Sequence, residues 1–114
     1  MATKSIPMNK GPRVEFVNEA TPIYTQMVLD HNTRGKPIKH GTVHMALFEK
    51  PQNPKFNAWD IVNAYEALFW SGIMVKVGPH KTDLKIADEY VDLVKAIPKD
   101  TEALKIYLRK ITGQ

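Results

Sequence analysis

NAWDIVNAYEALFWSGIMVKV, residues 57–77, is the stretch that decides the fold, because it combines a capped helix, a glycine stop and a β-strand. The Asn57 side chain can accept hydrogen bonds from the free N–H groups of a first helical turn, and Asp60 stands at the capping-box position. No Gly or Pro interrupts the residues that follow, which predicts a helix from about Ala58 to Ser71. Its apolar residues form one broad stripe: Ile61, Val62, Tyr65, Leu68 and Phe69.

Gly72 is expected to stop this helix, and the residues after it have the character of an extended strand. The apolar residues of the strand are Ile73, Met74, Val75 and Val77. Gly78-Pro79 then turns the chain. Another strand signal occurs weakly at Val14–Val17. The sequence therefore predicts a mainly α fold with a small β element.

The chain has 114 residues, the size of one domain that buries more than half of its unfolded surface. It contains no cysteine, which excludes a disulfide framework, a cysteine-ligated zinc site and a thiol nucleophile. Its first residues lack the apolar core of a signal peptide, and no apolar run approaches the roughly 20 residues that span a bilayer. These features predict one cytoplasmic domain that does not interact with a membrane.

The net charge of +4 is unevenly distributed. Residues 1–81 contain ten Lys and Arg against six Asp and Glu, whereas residues 82–114 contain six of each. The excess is concentrated between Arg34 and Lys55, where five cations accompany one acid, Glu49. Such a basic segment can attract phosphate groups, although a solvated surface explains a modest excess equally well.

Residues 1–20 show no periodicity and contain two prolines and one glycine, which predicts an N-terminal arm followed by a folded domain over residues 21–114. Val14–Val17 could pair as an edge strand. Thr21 followed by Pro22 is a favourable helix start. This first helix is expected to end in the turn at residues 32–35, and its inward residues are Ile23, Tyr24, Met27, Val28 and His31.

The segment Thr42–Glu49 fits two descriptions. Its apolar residues alternate as in a strand at Val43, Met45 and Leu47, but Val43, Ala46, Leu47 and Lys50 share one face of a helix. We favour a helix that is capped by Thr42 and stopped by Pro51.

The C-terminal third predicts two more helices. The first, which must end before Pro98, is marked by Leu84, Ala87, Tyr90, Val91 and Val94. Residues 82–86 could instead form a return strand. Asp100 is the expected cap of the second helix, with Lys105, Arg109 and Lys110 facing water. Its inward residues are Leu104, Tyr107, Leu108 and Ile111.

Two segments resemble a winged helix-turn-helix domain. KPIKHGTVHMALFE, residues 36–49, looks like the turn and second helix of such a domain. FNAWDIVNAYEALFWSGIMVKVG, residues 56–78, looks like the third helix running through its glycine into the first wing strand. The resemblance covers roughly Thr21–Ile86. It implies a winged helix-turn-helix-like core with two C-terminal helices added.

Winged helix domains mostly bind duplex DNA, with the third helix in the major groove and the wing against a phosphate backbone. The resemblance therefore implies a small DNA-binding protein, either a transcription regulator or a replication accessory protein. Asn63 would approach the bases, where an amide can pair with an adenine edge. The residues expected to hold phosphates are Arg34, Lys36, Lys39, Lys55, Lys76 and Lys81.

The outward face of the third helix departs from this pattern. It carries Trp59, Asn63, Glu66 and Trp70, with Asp60 at its edge, where a groove-reading helix has Arg, Lys, Asn or Gln. Carboxylates there would repel DNA, whereas large aromatic residues are favoured anchors at protein interfaces. The alternative function is therefore an adaptor or inhibitor that binds a host or partner protein through Trp59, Glu66 and Trp70, as small proteins of phages and other mobile elements often do.

A plainer explanation is that both tryptophans pack under the N-terminal arm or the C-terminal helices. In either case we expect Trp59 to be the more exposed, because it lies in the first turn of its helix. Trp70 can lean back onto the C-terminal helices from beside Gly72.

Other candidate chemistry is sparse. His40 and His44 have the i, i+4 spacing of two metal ligands on a helix, and Asp30 and His31 could add ligands. No HExxH arrangement, phosphate-binding glycine loop or nucleophile elbow accompanies them. We therefore expect a protein that is not an enzyme and that uses no cofactor and no metal. Its expected partner is duplex DNA or another protein, and self-association as a homodimer is an alternative.

Overall fold

The computed structural model describes residues 17–48, 56–96 and 101–113. These residues form five helices and one two-stranded antiparallel sheet, which confirms the predicted fold class, mainly α with a small β element. In chain order the elements are α1 (Ala20–Thr33), α2 (His40–Phe48), α3 (Ala58–Trp70), β1 (Met74–Val77), β2 (Asp83–Ile86), α4 (Asp88–Lys95) and α5 (Thr101–Ile111).

The two ends of α3 follow the prediction. The Asn57 side chain accepts from the Asp60 N–H at 2.9 Å, and the Asp60 carboxylate accepts from the Asn57 N–H at 3.0 Å, so the capping box is complete. At the other end Gly72 has a φ of +84°, and its N–H donates to the Phe69 carbonyl at 3.2 Å. This left-handed residue ends the helix and directs the chain into the buried Ile73 and then β1.

The start of α1 differs from the prediction. Thr21 is buried within the helix and does not cap it. The Asn18 side-chain oxygen instead accepts from the N–H groups of Ala20 and Thr21, at 3.0 Å and 3.2 Å. Val17 and Ala20 are buried in the core, so residues assigned to the arm belong to the folded domain. The suggested strand at 14–17 lies outside the described residues except for Val17, which is not in a strand.

The helical prediction for the second segment is confirmed, but α2 begins at His40, two residues before the predicted cap Thr42. The Lys39 carbonyl accepts from the N–H groups of Thr42 and Val43, at 3.0 Å and 3.2 Å, so the first turn forms earlier. Gly41 therefore lies inside the helix. The predicted stop at Pro51 lies outside the described residues.

Residues 83–86 form the return strand, so Leu84 and Ala87 are not part of a helix. Met74 is paired with Ile86 and Val77 with Asp83, and residues 78–82 make the hairpin turn. A strand forms here rather than a helix because the alternate residues Leu84 and Ile86 are both buried. Helix α4 then begins at Asp88.

The end of α1 and the connection to α2 are fastened to β2. The Leu84 N–H donates to the Ile38 carbonyl at 2.7 Å. The Asn32 side chain donates to the Leu84 carbonyl at 3.1 Å and accepts from the Ile86 N–H at 2.9 Å. These three bonds fix the hairpin relative to the helices.

The core is one cluster to which all the helices and both strands contribute. Its largest fully buried side chains include Tyr24, Leu47, Ile61, Leu68, Ile73, Met74, Leu84, Ile86, Leu104 and Leu108. Within the described ranges, none of the helices combines the length and apolar character needed to cross a bilayer.

The prediction that Lys105 faces water is wrong, because its side chain is only 15% exposed. Its Nζ lies 2.6 Å from a Glu19 carboxylate oxygen and 3.5 Å from a Glu102 carboxylate oxygen. The hydrogen bond to Glu19 is the main cause of a raised Lys105 pKa. This ion pair fastens α5 to the start of α1. Arg109 and Lys110 are exposed, as predicted.

Candidate binding surfaces on the second and third helices

The outward side of α3 carries both tryptophans of the protein, and we call Trp59, Glu66 and Trp70 the tryptophan stripe. Trp59 and Trp70 are eleven residues apart, about three helical turns, so they point to the same side. Trp59 is 73% exposed and Trp70 is 56% exposed. Neither side chain is therefore buried under the C-terminal helices, and residues 1–16 of the N-terminal arm lie outside the described residues. The prediction that Trp59 is the more exposed is confirmed.

The tryptophan stripe is acidic as well as apolar. The whole of α3 contains no Lys or Arg, and its two charged residues are Asp60 and Glu66. Asn63, the predicted base-reading residue, is half-buried on the same side of the helix. The electrostatic character of this face suits a partner with basic groups and opposes phosphate.

The basic turn, Arg34, Lys36 and Lys39, lies between α1 and α2. Two of its three cations already have carboxylate partners: Arg34 Nη2 lies 3.0 Å from Asp30 Oδ2, and Lys39 Nζ lies 2.5 Å from Asp83 Oδ1. Lys36 is exposed and forms no ion pair within the described residues.

The Lys39–Asp83 ion pair places the basic turn beside the hairpin turn, which contains Lys81. Lys81 is exposed, has a φ of +54° and, in the part of the chain that the structure describes, has no carboxylate partner. Lys39 is therefore bonded to Asp83, two residues after Lys81 in the chain. The predicted phosphate ligand Lys55 lies outside the described residues.

Lys76 takes a different position from the one expected for a wing lysine. Its Nζ lies 4.8 Å from the ring centroid of Phe69 and 5.4 Å from that of Tyr65, over the side of α3. A cation held over aromatic faces is stabilised by their quadrupoles. Lys76 is therefore part of an aromatic surface between α2 and α3.

We call this surface the ring tract. Its rings are in contact one after another in the order Phe48, His44, His40, Tyr65, Phe69 and Trp70. The sequence patterns described above did not predict it, although the i, i+4 spacing of His40, His44 and Phe48 was a usable signal. Which rings would meet across the two helices could not be inferred from spacing alone.

His40 is the central ring of the tract. Its Nδ1 lies 2.7 Å from the Tyr24 hydroxyl, and its centroid lies 4.4 Å from that of Tyr65. Burial is the main cause that lowers the His40 pKa, and the charges of His44 and Lys76 lower it further. Burial likewise raises the pKa of Tyr24, with a smaller effect from Tyr65. Both groups of this hydrogen bond are therefore held in their neutral forms at neutral pH.

The histidines that suggested a metal site have other contacts. His31 Nδ1 lies 3.0 Å from the Met27 carbonyl, and His40 is bonded to Tyr24. In residues 17–48, 56–96 and 101–113 there is no group of three or more His, Asp or Glu side chains placed to hold a metal ion.

The ring tract, the tryptophan stripe and the basic turn are thus the surfaces from which function can be inferred. Among known proteins, no family model matches this chain, and neither a curated protein nor a solved structure matches it.

Proposed function

We propose that this protein is a non-catalytic adaptor or inhibitor that binds another protein through the tryptophan stripe of α3. The observation that carries the proposal is the exposure of Trp59 and Trp70 on one side of a helix whose other side is buried. An aromatic side chain of this kind buries about 150–250 Å² on contact, and Trp is enriched among the residues that dominate binding energy.

The spacing and charge of the tryptophan stripe indicate the size and charge of the partner surface. Three helical turns separate the tryptophans by about 16 Å along the axis, so both fit within a standard interface of about 800 Å² per partner. Asp60 and Glu66 are the charged groups of α3. The partner surface is therefore apolar at two points, with basic residues around them. We place this interaction in the cytoplasm, which suits a chain without cysteine.

The experiment is capture of binding proteins from a nuclease-treated lysate by the parent protein, by Trp59→Ala and by Ile106→Ala. Ile106, on α5, is 59% exposed and controls for loss of an exposed apolar side chain elsewhere. We expect Trp59→Ala to lose a protein that the parent and Ile106→Ala both retain. Equal capture by all three would exclude Trp59 as an anchor.

Nucleic-acid binding is the second candidate, in line with the resemblance to winged helix-turn-helix domains. The order of α1, α2, α3, β1 and β2 supports it, as does the exposure of Lys36 and Lys81 without carboxylate partners in the described residues. On this candidate the protein is a transcription regulator or replication accessory protein that contacts duplex DNA through phosphates. It ranks second because α3 would bring two carboxylates and no cation to the groove.

A further inference from the structure

The ring tract reaches the surface at both ends. Phe48, at the end of α2, is 52% exposed, and Trp70, at the end of α3, is 56% exposed. The four rings between them are half-buried, and consecutive centroids lie 4.4–6.1 Å apart. The tract is therefore a continuous row of aromatic groups with an exposed ring at each end.

The charge beside this row is positive. Lys76 Nζ lies over the rings of Tyr65 and Phe69. Of the three cations in residues 31–48, Arg34 is paired with Asp30 and Lys39 with Asp83, so Lys76 is the cation that the ring tract itself offers to a ligand. This surface differs from the tryptophan stripe, which includes the carboxylate of Glu66 and shares Trp70 with the tract. A ligand that matches the ring tract is therefore anionic.

Aromatic rings together with cations fit a ligand that alternates planar groups with negative charges. A single nucleic-acid strand has this chemistry, because its bases stack on aromatic side chains while its phosphates meet basic groups. A duplex stacks its bases on one another and hides their faces. An acidic peptide offers the charge without a regular series of rings.

We propose that the ring tract binds single-stranded nucleic acid. Bases stack on Phe48, His44 and Trp70, and a phosphate pairs with Lys76. This site goes beyond the proposed protein interface and shares only Trp70 with it. The bases of DNA and RNA present the same ring faces, so single-stranded DNA and single-stranded RNA both fit this chemistry.

The experiment measures fluorescence anisotropy of labelled oligothymidylate and oligouridylate of about 12 nucleotides, a length within the usual site sizes for such surfaces. A duplex of the same length and a polyglutamate peptide are the competing ligands. We expect both single strands, or one of them, to bind at least tenfold more tightly than the duplex and the peptide. Binding to only one of the two oligonucleotides identifies the ligand as DNA or as RNA. Equal or tighter binding of the duplex or of the peptide overturns the proposal.

The variants are Phe48→Ala and Lys76→Gln, with Ile106→Ala and Lys95→Gln as matched controls from exposed positions on α5 and α4. Loss of one stacking ring is expected to weaken single-strand binding about fivefold to a hundredfold. The controls should stay within about twofold of the parent under the same principle. Thermal melts confirm that each variant is folded. Unchanged affinity in Phe48→Ala overturns the proposal.

Trp59→Ala separates this site from the protein interface, because Trp59 is not part of the ring tract. Single-strand affinity should be unchanged in Trp59→Ala while capture of the protein partner is lost. Phe48→Ala should show the reverse pattern. If Trp59→Ala weakened single-strand binding as much as Phe48→Ala, the ring tract would not be a separate site.

Discussion

The hydroxyl of Tyr24 lies 2.7 Å from Nδ1 of His40, and this hydrogen bond connects the second turn of α1 with the first residue of α2. Tyr24 has no exposed surface and His40 is half-buried, so the bond is partly shielded from water. Helix α2 has only nine residues, too few to be stable in isolation. Its position, and with it the position of half the ring tract, depends on contacts of this kind.

Replacing Tyr24 with Phe should lower the free energy of unfolding by about 1 kcal/mol, because His40 loses its hydrogen-bond partner while the packed ring remains. Urea denaturation followed by far-UV circular dichroism measures the change. Tyr107→Phe, at a half-buried tyrosine of α5, is the control and should change stability less. A Tyr24→Phe protein as stable as the parent would show that the bond makes no net contribution.

Stability should fall as the pH drops below about 6.5, the ordinary His pKa, because His40 has a lowered pKa in the folded state. The unfolded chain then binds the proton more tightly than the native chain, so acid favours unfolding until the pH is below both values. The groups around His40 are Tyr24, His44, Tyr65 and Lys76. Melting temperatures between pH 7.5 and pH 5, bracketing that value, should decline less steeply in His40→Gln than in the parent. The control is His80→Gln, in the exposed hairpin turn. If melting temperature fell equally steeply with pH in His40→Gln and in the parent, His40 would not be the source of the pH dependence.

Gly72→Ala should lower stability by about 1–2 kcal/mol, because a side chain strains a residue whose φ is +84°. No atom lies within 4 Å of the added Cβ, so the cost comes from the backbone alone. Gly41→Ala is the matched control: its Cβ also meets open space, but Gly41 lies inside α2 without a positive φ and should not lose stability. Thermal denaturation compares the two. Equal melting temperatures for Gly72→Ala and the parent would argue against this helix stop.

On the nucleic-acid candidate, Lys36→Glu should weaken DNA binding at all sequences and reduce its salt slope by roughly one unit for each phosphate that the protein no longer neutralises. Filter binding or anisotropy over a salt series measures the slope. Stability should hardly change, because Lys36 forms no ion pair in the described part of the chain. An unaltered slope would remove Lys36 from any nucleic-acid interface.

Lys39→Glu, unlike Lys36→Glu, should lower the free energy of unfolding. It places a second carboxylate beside Asp83, to which Lys39 Nζ is now bonded. The loss of an exposed pair and the new repulsion should cost about 1 kcal/mol. Reversing both lysines together therefore does not leave the fold untouched, and the two single variants are needed to separate binding from stability.

Acrylamide should quench the fluorescence of Trp59 more strongly than that of Trp70. The single-tryptophan variants Trp70→Phe and Trp59→Phe report the two residues separately. The expected order follows their exposed fractions, 73% and 56%. Both variants should melt near the parent temperature, because neither ring is in the core. Equal, strong protection of both tryptophans would contradict an exposed tryptophan stripe.

The features that the sequence predicted correctly are local ones. The cap at Asn57 and Asp60 and the stop at Gly72 involve residues three or fewer positions apart, so their signals are visible in the chain itself. Helical periodicity also separated Trp59 from the core residues of α3, but it left open whether another element covers the two tryptophans.

The features that were missed depend on distant partners. The Asn18 side chain accepts from the first N–H groups of α1 and also donates to the Asp60 carbonyl, 42 residues away. Lys105 is covered because it meets Glu19, 86 residues away. The ring tract forms only when α2 packs against α3. Periodicity describes one helix at a time, so it could not show that His40 would meet Tyr65.

The Asn32 side chain and the Ile38 carbonyl also protect the outer edge of β2. Together they occupy an N–H and a C=O of Leu84 and the N–H of Ile86, groups that an unprotected strand would offer to another molecule. A third strand, whether from a partner or from an aggregating copy, therefore cannot extend the sheet at β2. An added strand must therefore pair with β1. Asn32→Ala would expose the Leu84 carbonyl and the Ile86 N–H, and would be expected to make the β2 edge prone to strand addition and aggregation.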